Sequence, residues 1–164
     1  MGDQDTSDQR LSRAEQEVIL FFSDGVRVLG LPKSIGEIYG VLYISRSALS
    51  LDDLVDLLGI SKGSASQGLK FLRNLGAVHK IEQDRKSYYE PELNLKSLVG
   101  GFIKEEIVPH LTSGEQKLSQ IKELLDEEVG GSNDDFYQAR FEKMESWTKQ
   151  AKIVLPLLQR VLGS

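Results

Sequence analysis

The chain has no cysteine, only two histidines, four prolines and one tryptophan among its 164 residues. Without cysteine, disulfides, thiol catalysis and cysteine-ligated zinc are excluded. His79 and His110 are the only imidazoles, and neither sits in a nucleophile, metal or phosphate-loop context, so no enzyme, no metal site and no cofactor is expected. The acidic runs Glu105-Glu106 and Asp126-Glu127-Glu128 read as solvated helix faces rather than metal ligands. There is no run of ~18 apolar residues to span a membrane, and no charged-then-apolar leader resembles a secretory signal. A cytoplasmic protein without a membrane partner is therefore expected. The first residues from Met1 formally fit the myristoylation pattern but are acidic rather than polybasic, and residues 1–10 read as a disordered start.

What the chain does have is concentrated between Ser50 and Glu90. Ser50 can cap a helix with Asp53 three residues on, and Leu51, Leu54 and Leu58 then form one apolar stripe that ends at Gly59. Ser61 is a second N-cap. The helix it opens carries Ala65, Leu69 and Leu72 inward until Gly76 stops it, and Lys62, Gly63, Ser64, Ser66, Gln67 and Lys70 outward. Those outward residues are small, polar or basic where an ordinary surface helix favours Glu and Ala. Ser and Gln can pair with base edges, and Lys can neutralise phosphates. Gly63 and Gly68 lower helix propensity by roughly 1 kcal/mol each, which calls for close approach either to DNA or to the preceding helix.

After Gly76 two alternating strands flank the polar tip Gln83-Asp84-Arg85-Lys86, so the order helix, turn, helix, hairpin is that of a winged helix-turn-helix. An arginine at such a tip can enter a minor groove, with Asp84 placed to hold its guanidinium; the plainer reading of this segment is a solvated hairpin. Residues 61–90 hold six basic and three acidic side chains, a local excess of +3 within a chain of net charge −5. A basic strip on an acidic body orients a protein on a polyanion, with salt-sensitive affinity.

Flanking helices complete the chain. Leu11, Ala14, Val18, Phe21, Phe22, Gly25 and Leu29 recur at helical spacing up to Pro32, and Ile35, Ile38, Tyr39 and Leu42 face one way on the next helix, where Gly36 and Gly40 leave room for a close neighbour. Asn94 is expected to cap a helix that Pro109 kinks or ends, and Ser113 with Gln116 to form the capping box of another, which Gly130-Gly131 punctuates. Ser132 or Asn133 caps the last helix. It carries a heptad seam of Tyr137, Phe141, Met144, Thr148, Ala151, Leu155, Leu158 and Leu162, widened by Trp147, Val154 and Val161 and bent near Lys152 by Pro156. Either an intrachain helix or the same helix of a second subunit can bury this seam. A reader with one recognition helix gains most from a partner at the next half-site, so a homodimer is expected.

Three segments carry a family resemblance: IGEIYGVLYIS at 35–45, LGISKGSASQGLKFLRNLGAV at 58–78, and DRKSYYEPELNLKSLV at 84–99. Over roughly residues 14–112 the chain resembles MarR-type winged-helix regulators of the branch related to the glycine-betaine-synthesis regulator, GbsR. The resemblance implies a helix from Ser61 in the major groove, the Asp84-Arg85 tip at the minor groove, dimerisation through terminal helices, and transcriptional repression relieved by a small molecule. Choline-like effectors occur in the branch, and Phe21, Phe22, Tyr39, Tyr43, Tyr88, Tyr89, Phe102 and Trp147 are available to cage a quaternary ammonium, although aromatics at helical spacing are core in most proteins. The effector is thus unknown, and no residue is assigned to it.

The expected architecture is mainly α: a disordered stretch at 1–10, a winged helix-turn-helix DNA-binding domain with its leading helix and hairpin wing at 11–93, and a helical dimerisation region at 94–164. Its expected partner is double-stranded DNA. Ser64, Ser66 and Gln67 are the candidates for base contacts, Lys62, Lys70 and Arg73 for phosphates, Arg85 and Lys86 for the wing, and Gly63 for close approach. The alternative is a winged helix used as a protein-interaction module without DNA readout.

Overall fold

A computed structural model describes residues 11–128 and 135–162. The disordered start, the Gly130-Gly131 break and the Ser132 or Asn133 cap lie outside the described residues. The chain divides into two units, Met1–Leu95 and Lys96–Ser164.

In the first unit, helix α1 (Arg13–Val28) opens on a capping box in which the Ser12 hydroxyl accepts from the Glu15 amide and the Glu15 carboxylate accepts from the Ser12 amide. Its inward face is not the expected one. Ile19 and Ser23 are buried, with Val18, Phe22 and Val26 beside them, while Phe21 is 69% exposed and Leu20, Val28 and Leu29 also face outward. The cause is the packing of α1 on helix α2 (Lys33–Ile44). A Cβ on Gly36 would stand 2.5 Å from the Phe22 carbonyl oxygen and the Ser23 Cα, and one on Gly40 would stand 2.8 Å from the Ile19 Cα. Ser23 is buried because it is small; among the described residues its hydroxyl has no hydrogen-bond partner. Seven of the twelve residues of α2 are buried, and α2 is the central helix of this unit.

A two-residue strand β1 (Leu49–Ser50) leads into helix α3 (Leu51–Leu58), where the expected Ser50–Asp53 capping box forms. Gly59 ends α3 with φ 64°, a left-handed conformation that a side chain would strain. After Ile60 and the Ser61 cap comes helix α4 (Lys62–Asn74), which buries Ala65, Gly68, Leu69 and Leu72. Gly68 packs against the Ile38 side chain of α2, so the helix it accommodates is α2 and not the preceding α3.

Strands β2 (Val78–Gln83) and β3 (Lys86–Pro91) form the hairpin, with Lys80 opposite Tyr89 and Gln83 opposite Lys86. The sheet is antiparallel in the order β1-β3-β2, so β3 is its middle strand, paired with a segment that the sequence did not reveal as a strand. The tip is a two-residue turn with positive φ at both Asp84 (49°) and Arg85 (63°), as a turn matched to the twist of a hairpin requires. This unit is a mainly α winged helix-turn-helix with a three-stranded sheet.

The second unit departs from the expected breaks. Helix α5 (Leu95–Phe102) passes through a π-helical turn (Ile103–Ile107) into helix α6 (Val108–Glu128), with no end at Pro109. The Val108 amide bonds back five residues to the Ile103 carbonyl, and this wider turn takes up the proline without breaking the helix. Ser113 is therefore inside α6 and caps nothing; its hydroxyl donates to the His110 carbonyl at 2.9 Å, and the expected capping box with Gln116 does not form. Helix α7 (Asp135–Leu162) continues through Pro156. It packs on α6, burying Leu118, Phe141 and Thr148, and Lys152 meets Glu115 at 2.6 Å across the pair. Met144, Trp147, Val154, Leu158 and Val161 stay exposed, so α6 covers only one side of the heptad seam. Among the described residues no helix is long and apolar enough to cross a membrane.

Candidate nucleic-acid interface

The turn that sets α4 is fixed by local chemistry. The Ser61 hydroxyl accepts from the Ser64 amide at 3.1 Å and donates to the Ser64 hydroxyl at 3.0 Å, so the Ser64 side chain is tied to the cap. Lys62, Gly63, Ser64, Ser66, Gln67, Lys70 and Arg73 all lie outside the core, on the face their spacing predicts. A Cβ added at Gly63 would meet only the Ser61 hydroxyl, at 3.8 Å, so nothing within the fold demands glycine there. Gly68, in contrast, is explained wholly by packing.

Two grooves flank the outward face of α4 and divide five of the nine candidate residues between them. On the sheet side, a groove of about 690 Å³ is lined by Ser66, Lys70, Arg73 and Asn74 of α4 together with His79, Lys80 and Tyr89 of the hairpin. On the other side, a groove of about 400 Å³ runs along Ser64, Gln67 and Phe71 to Pro32, Ser34 and Ile35 at the start of α2. Lys62 and Gly63 stand at the start of α4, and Arg85 and Lys86 are exposed at the hairpin tip. Asn74, Lys80, Tyr89 and Ser34 also line these grooves, beyond the candidates that the sequence points to. The hairpin register that sets Lys80 beside Tyr89 was the available signal for two of them.

Several of the charges are already paired. Lys62 Nζ lies 2.8 Å from Asp52 Oδ1 of α3, and Lys80 Nζ 2.7 Å from Glu82 Oε1. The hydrogen bond and charge of Asp52 raise the Lys62 pKa, with Asp56 adding to it, and the Lys80 ammonium holds the Glu82 carboxyl below its usual range. His79 Nε2 is 3.5 Å from Glu92 Oε2. The Asn94 amide, and then His79, lower the Glu92 pKa. The expected Asp84–Arg85 contact is absent among the described residues: both side chains are exposed, where such a pair gains little against water.

Phe22, Tyr39 and Tyr43 pack on one another with ring centroids 4.9 to 5.9 Å apart, Tyr39 buried and the other two half-buried. Phe102 and Trp147 belong to the second unit. Among the described residues no group of three or more His, Asp or Glu side chains is arranged to hold a metal ion.

No family model matches the chain. It is 27% identical over 130 residues to the HTH-type transcriptional repressor GbsR of Bacillus subtilis (strain 168), covering 73% of this chain and 72% of GbsR. It is 25% identical over 84 residues to the HTH-type transcriptional repressor OpcR of the same organism, covering 50% of this chain and 45% of OpcR. For two of its curated Bacillus relatives the matched part is thus about half of the relative's length, 48% and 45%. A solved structure described as a transcriptional regulator superposes with a TM-score of 0.65 at 16% identity, covering 90% of this chain and 97% of that one, and shares the fold. The chain thus has a winged helix-turn-helix fold, and its sequence is similar to those of the HTH-type transcriptional repressors GbsR and OpcR.

Proposed function

We propose that the protein is a sequence-specific DNA-binding transcriptional regulator of the bacterial cytoplasm, acting as a homodimeric repressor on an inverted-repeat operator with half-sites about one helical turn, ~10 base pairs, apart. The observation that carries this reading is the outward face of α4: Gly63, Ser66, Gln67, Lys70 and Arg73 form a small, polar and basic surface between two grooves, where a protein-docking helix would present large apolar side chains. Ser66 and Gln67 are assigned to base edges, with Ser64 in support at the cap. Lys62, Lys70 and Arg73 are assigned to phosphates, joined by Lys80 across the sheet-side groove, and Arg85 and Lys86 to the wing contact. The reading involves no catalytic step.

Dimerisation is assigned to residues 94–164, where Met144, Trp147, Val154, Leu158 and Val161 leave an apolar stripe uncovered on α7. A small-molecule effector fits the role of such a repressor. The test is selection of bound duplexes from a random pool at two salt concentrations, with Arg85→Ala as control. Enrichment of a palindrome that the control binds less well supports the reading; binding indifferent to sequence refutes it.

A further inference from the structure

We propose that Asp52 competes with DNA phosphate for Lys62, so that the first lysine of the recognition helix engages the DNA backbone only by exchanging an internal carboxylate for an external phosphate. This rests on the DNA reading above. Three observations lead to it. Lys62 opens α4, at the end of the helix where free amides favour an anion, and its ammonium is held 2.8 Å from Asp52 in the neighbouring α3. Both side chains are exposed, 72% and 70%, so a phosphate can reach the pair, and an ion pair in water is weak enough to exchange. The balance of charge also changes when α3 is included: residues 51–90 hold six basic and six acidic side chains, because Asp52, Asp53 and Asp56 cancel the excess that α4 and the wing supply.

The carboxylate is not needed to start α3. The Ser50–Asp53 capping box does that, with Ser50 Oγ donating to Asp53 Oδ2 at 2.7 Å. Asp52 therefore restrains phosphate binding, and its replacement by a neutral residue removes only a favourable first-turn charge from α3, worth about 0.3–1 kcal/mol. When DNA displaces it, the freed carboxylate faces a polyanion and must recruit a cation, which offsets one of the counterions that the phosphate contact releases. The interface is thereby tuned against long residence on bulk DNA, whose binding is almost wholly electrostatic.

Asp52→Asn tests the exchange on the full chain, with a labelled random-sequence duplex and the selected operator titrated across salt. The expected result is tighter binding of both duplexes, roughly three- to tenfold at low salt, with a salt slope steeper by about one. In a Lys62→Ala background the same substitution is expected to leave affinity and slope nearly unchanged. An unchanged slope in the single variant overturns the proposal, as does weaker binding, which makes Asp52 a positioning residue for Lys62. An equal gain with and without Lys62 overturns it too, since that is long-range repulsion alone. The ion pair itself is read without DNA, by NMR titration of Lys62 Nζ: its raised pKa falls back in Asp52→Asn. Loss of that change overturns the ion pair, whereas an intact pair in a protein that binds no duplex overturns the DNA reading and the exchange with it.

Discussion

The Tyr39 hydroxyl donates to the backbone carbonyl of Glu92 at 2.5 Å, fixing the root of the wing to the buried central helix. Glu92 is a junction: its amide donates to the Ala77 carbonyl at 2.8 Å, its carboxylate accepts from the Asn94 amide at 2.8 Å, and His79 lies against it. The end of β3 is therefore held from the β2 side of the hairpin and from α2.

Removing this bond by Tyr39→Phe leaves a carbonyl short of its donor and is expected to cost about 1 kcal/mol at neutral pH. Burial, with Tyr43 and Glu92 adding, also pushes the Tyr39 hydroxyl from 10.0 up to about 12. The unfolded tyrosine loses its proton first, so between those values the unfolded state binds fewer protons than the folded one. The contribution is complete below the unfolded pKa and declines as pH rises through that window. Urea unfolding at about pH 8 and about pH 11 checks both effects, because the variant should lack this part of the alkaline loss.

Glycines 36 and 63 should respond in opposite directions to alanine. At Gly36 the new methyl meets backbone atoms of Phe22 and Ser23 at 2.5 Å, and helix backbones cannot yield as a side-chain tip can, so a loss of about 3 kcal/mol is expected. At Gly63 there is space, and alanine is expected to leave stability equal or up to about 1 kcal/mol higher. If Gly63 serves close approach to DNA, the stabilised variant binds its operator more weakly. Thermal unfolding and operator titration of the two variants measure this together.

At the wing tip, Asp84 and Arg85 hold positive φ without the freedom of glycine, a strain of order 1 kcal/mol at each. Asp84→Asn with Arg85→Gly supplies the residues this turn favours and is expected to raise stability by about 1 kcal/mol while weakening DNA binding. Stability and affinity moving apart would identify the arginine as retained for contact; a variant that binds as tightly as the parent removes Arg85 from the interface.

How legible these features were depended on how local their causes are. The Ser50 and Ser61 caps, the Gly59 stop and the inward triad Ala65, Leu69 and Leu72 are set by residues within one or two helical turns, and spacing alone revealed them. The face of α1 was misread because Ser23, a polar residue, is selected by the narrow gap at Gly36, whereas the more hydrophobic Phe21 is left outside. Strand β1 is too short for periodicity and exists only through its pairing with Tyr88 and Tyr89. Pro109 read as a stop because a π turn has no residue signature of its own. The candidate residues of α4 were legible, but their division between two grooves, and the pairing of Lys62 with Asp52, arise from elements distant in sequence.

Trp147 tests the proposed subunit contact. It is 63% exposed on α7, so Trp147→Glu should leave the chain folded, and in the dimer reading it converts a dimer to a monomer at micromolar concentration. Sedimentation equilibrium on parent and variant decides. A monomeric parent contradicts the dimer, and a dimeric variant moves the contact off this stripe.

The central claim is that α4 reads bases with some residues and holds phosphates with others, and the most direct measurement compares Gln67→Ala with Lys70→Ala on the selected operator and its single-base variants across salt. Gln67→Ala is expected to lose discrimination at one or two positions, by about 1–3 kcal/mol, with the salt slope unchanged. Lys70→Ala is expected to weaken every sequence by a similar factor and to flatten the slope by about one. Binding by both variants that matches the parent in affinity, preference and slope would contradict the account and place the DNA contact, if there is one, away from α4.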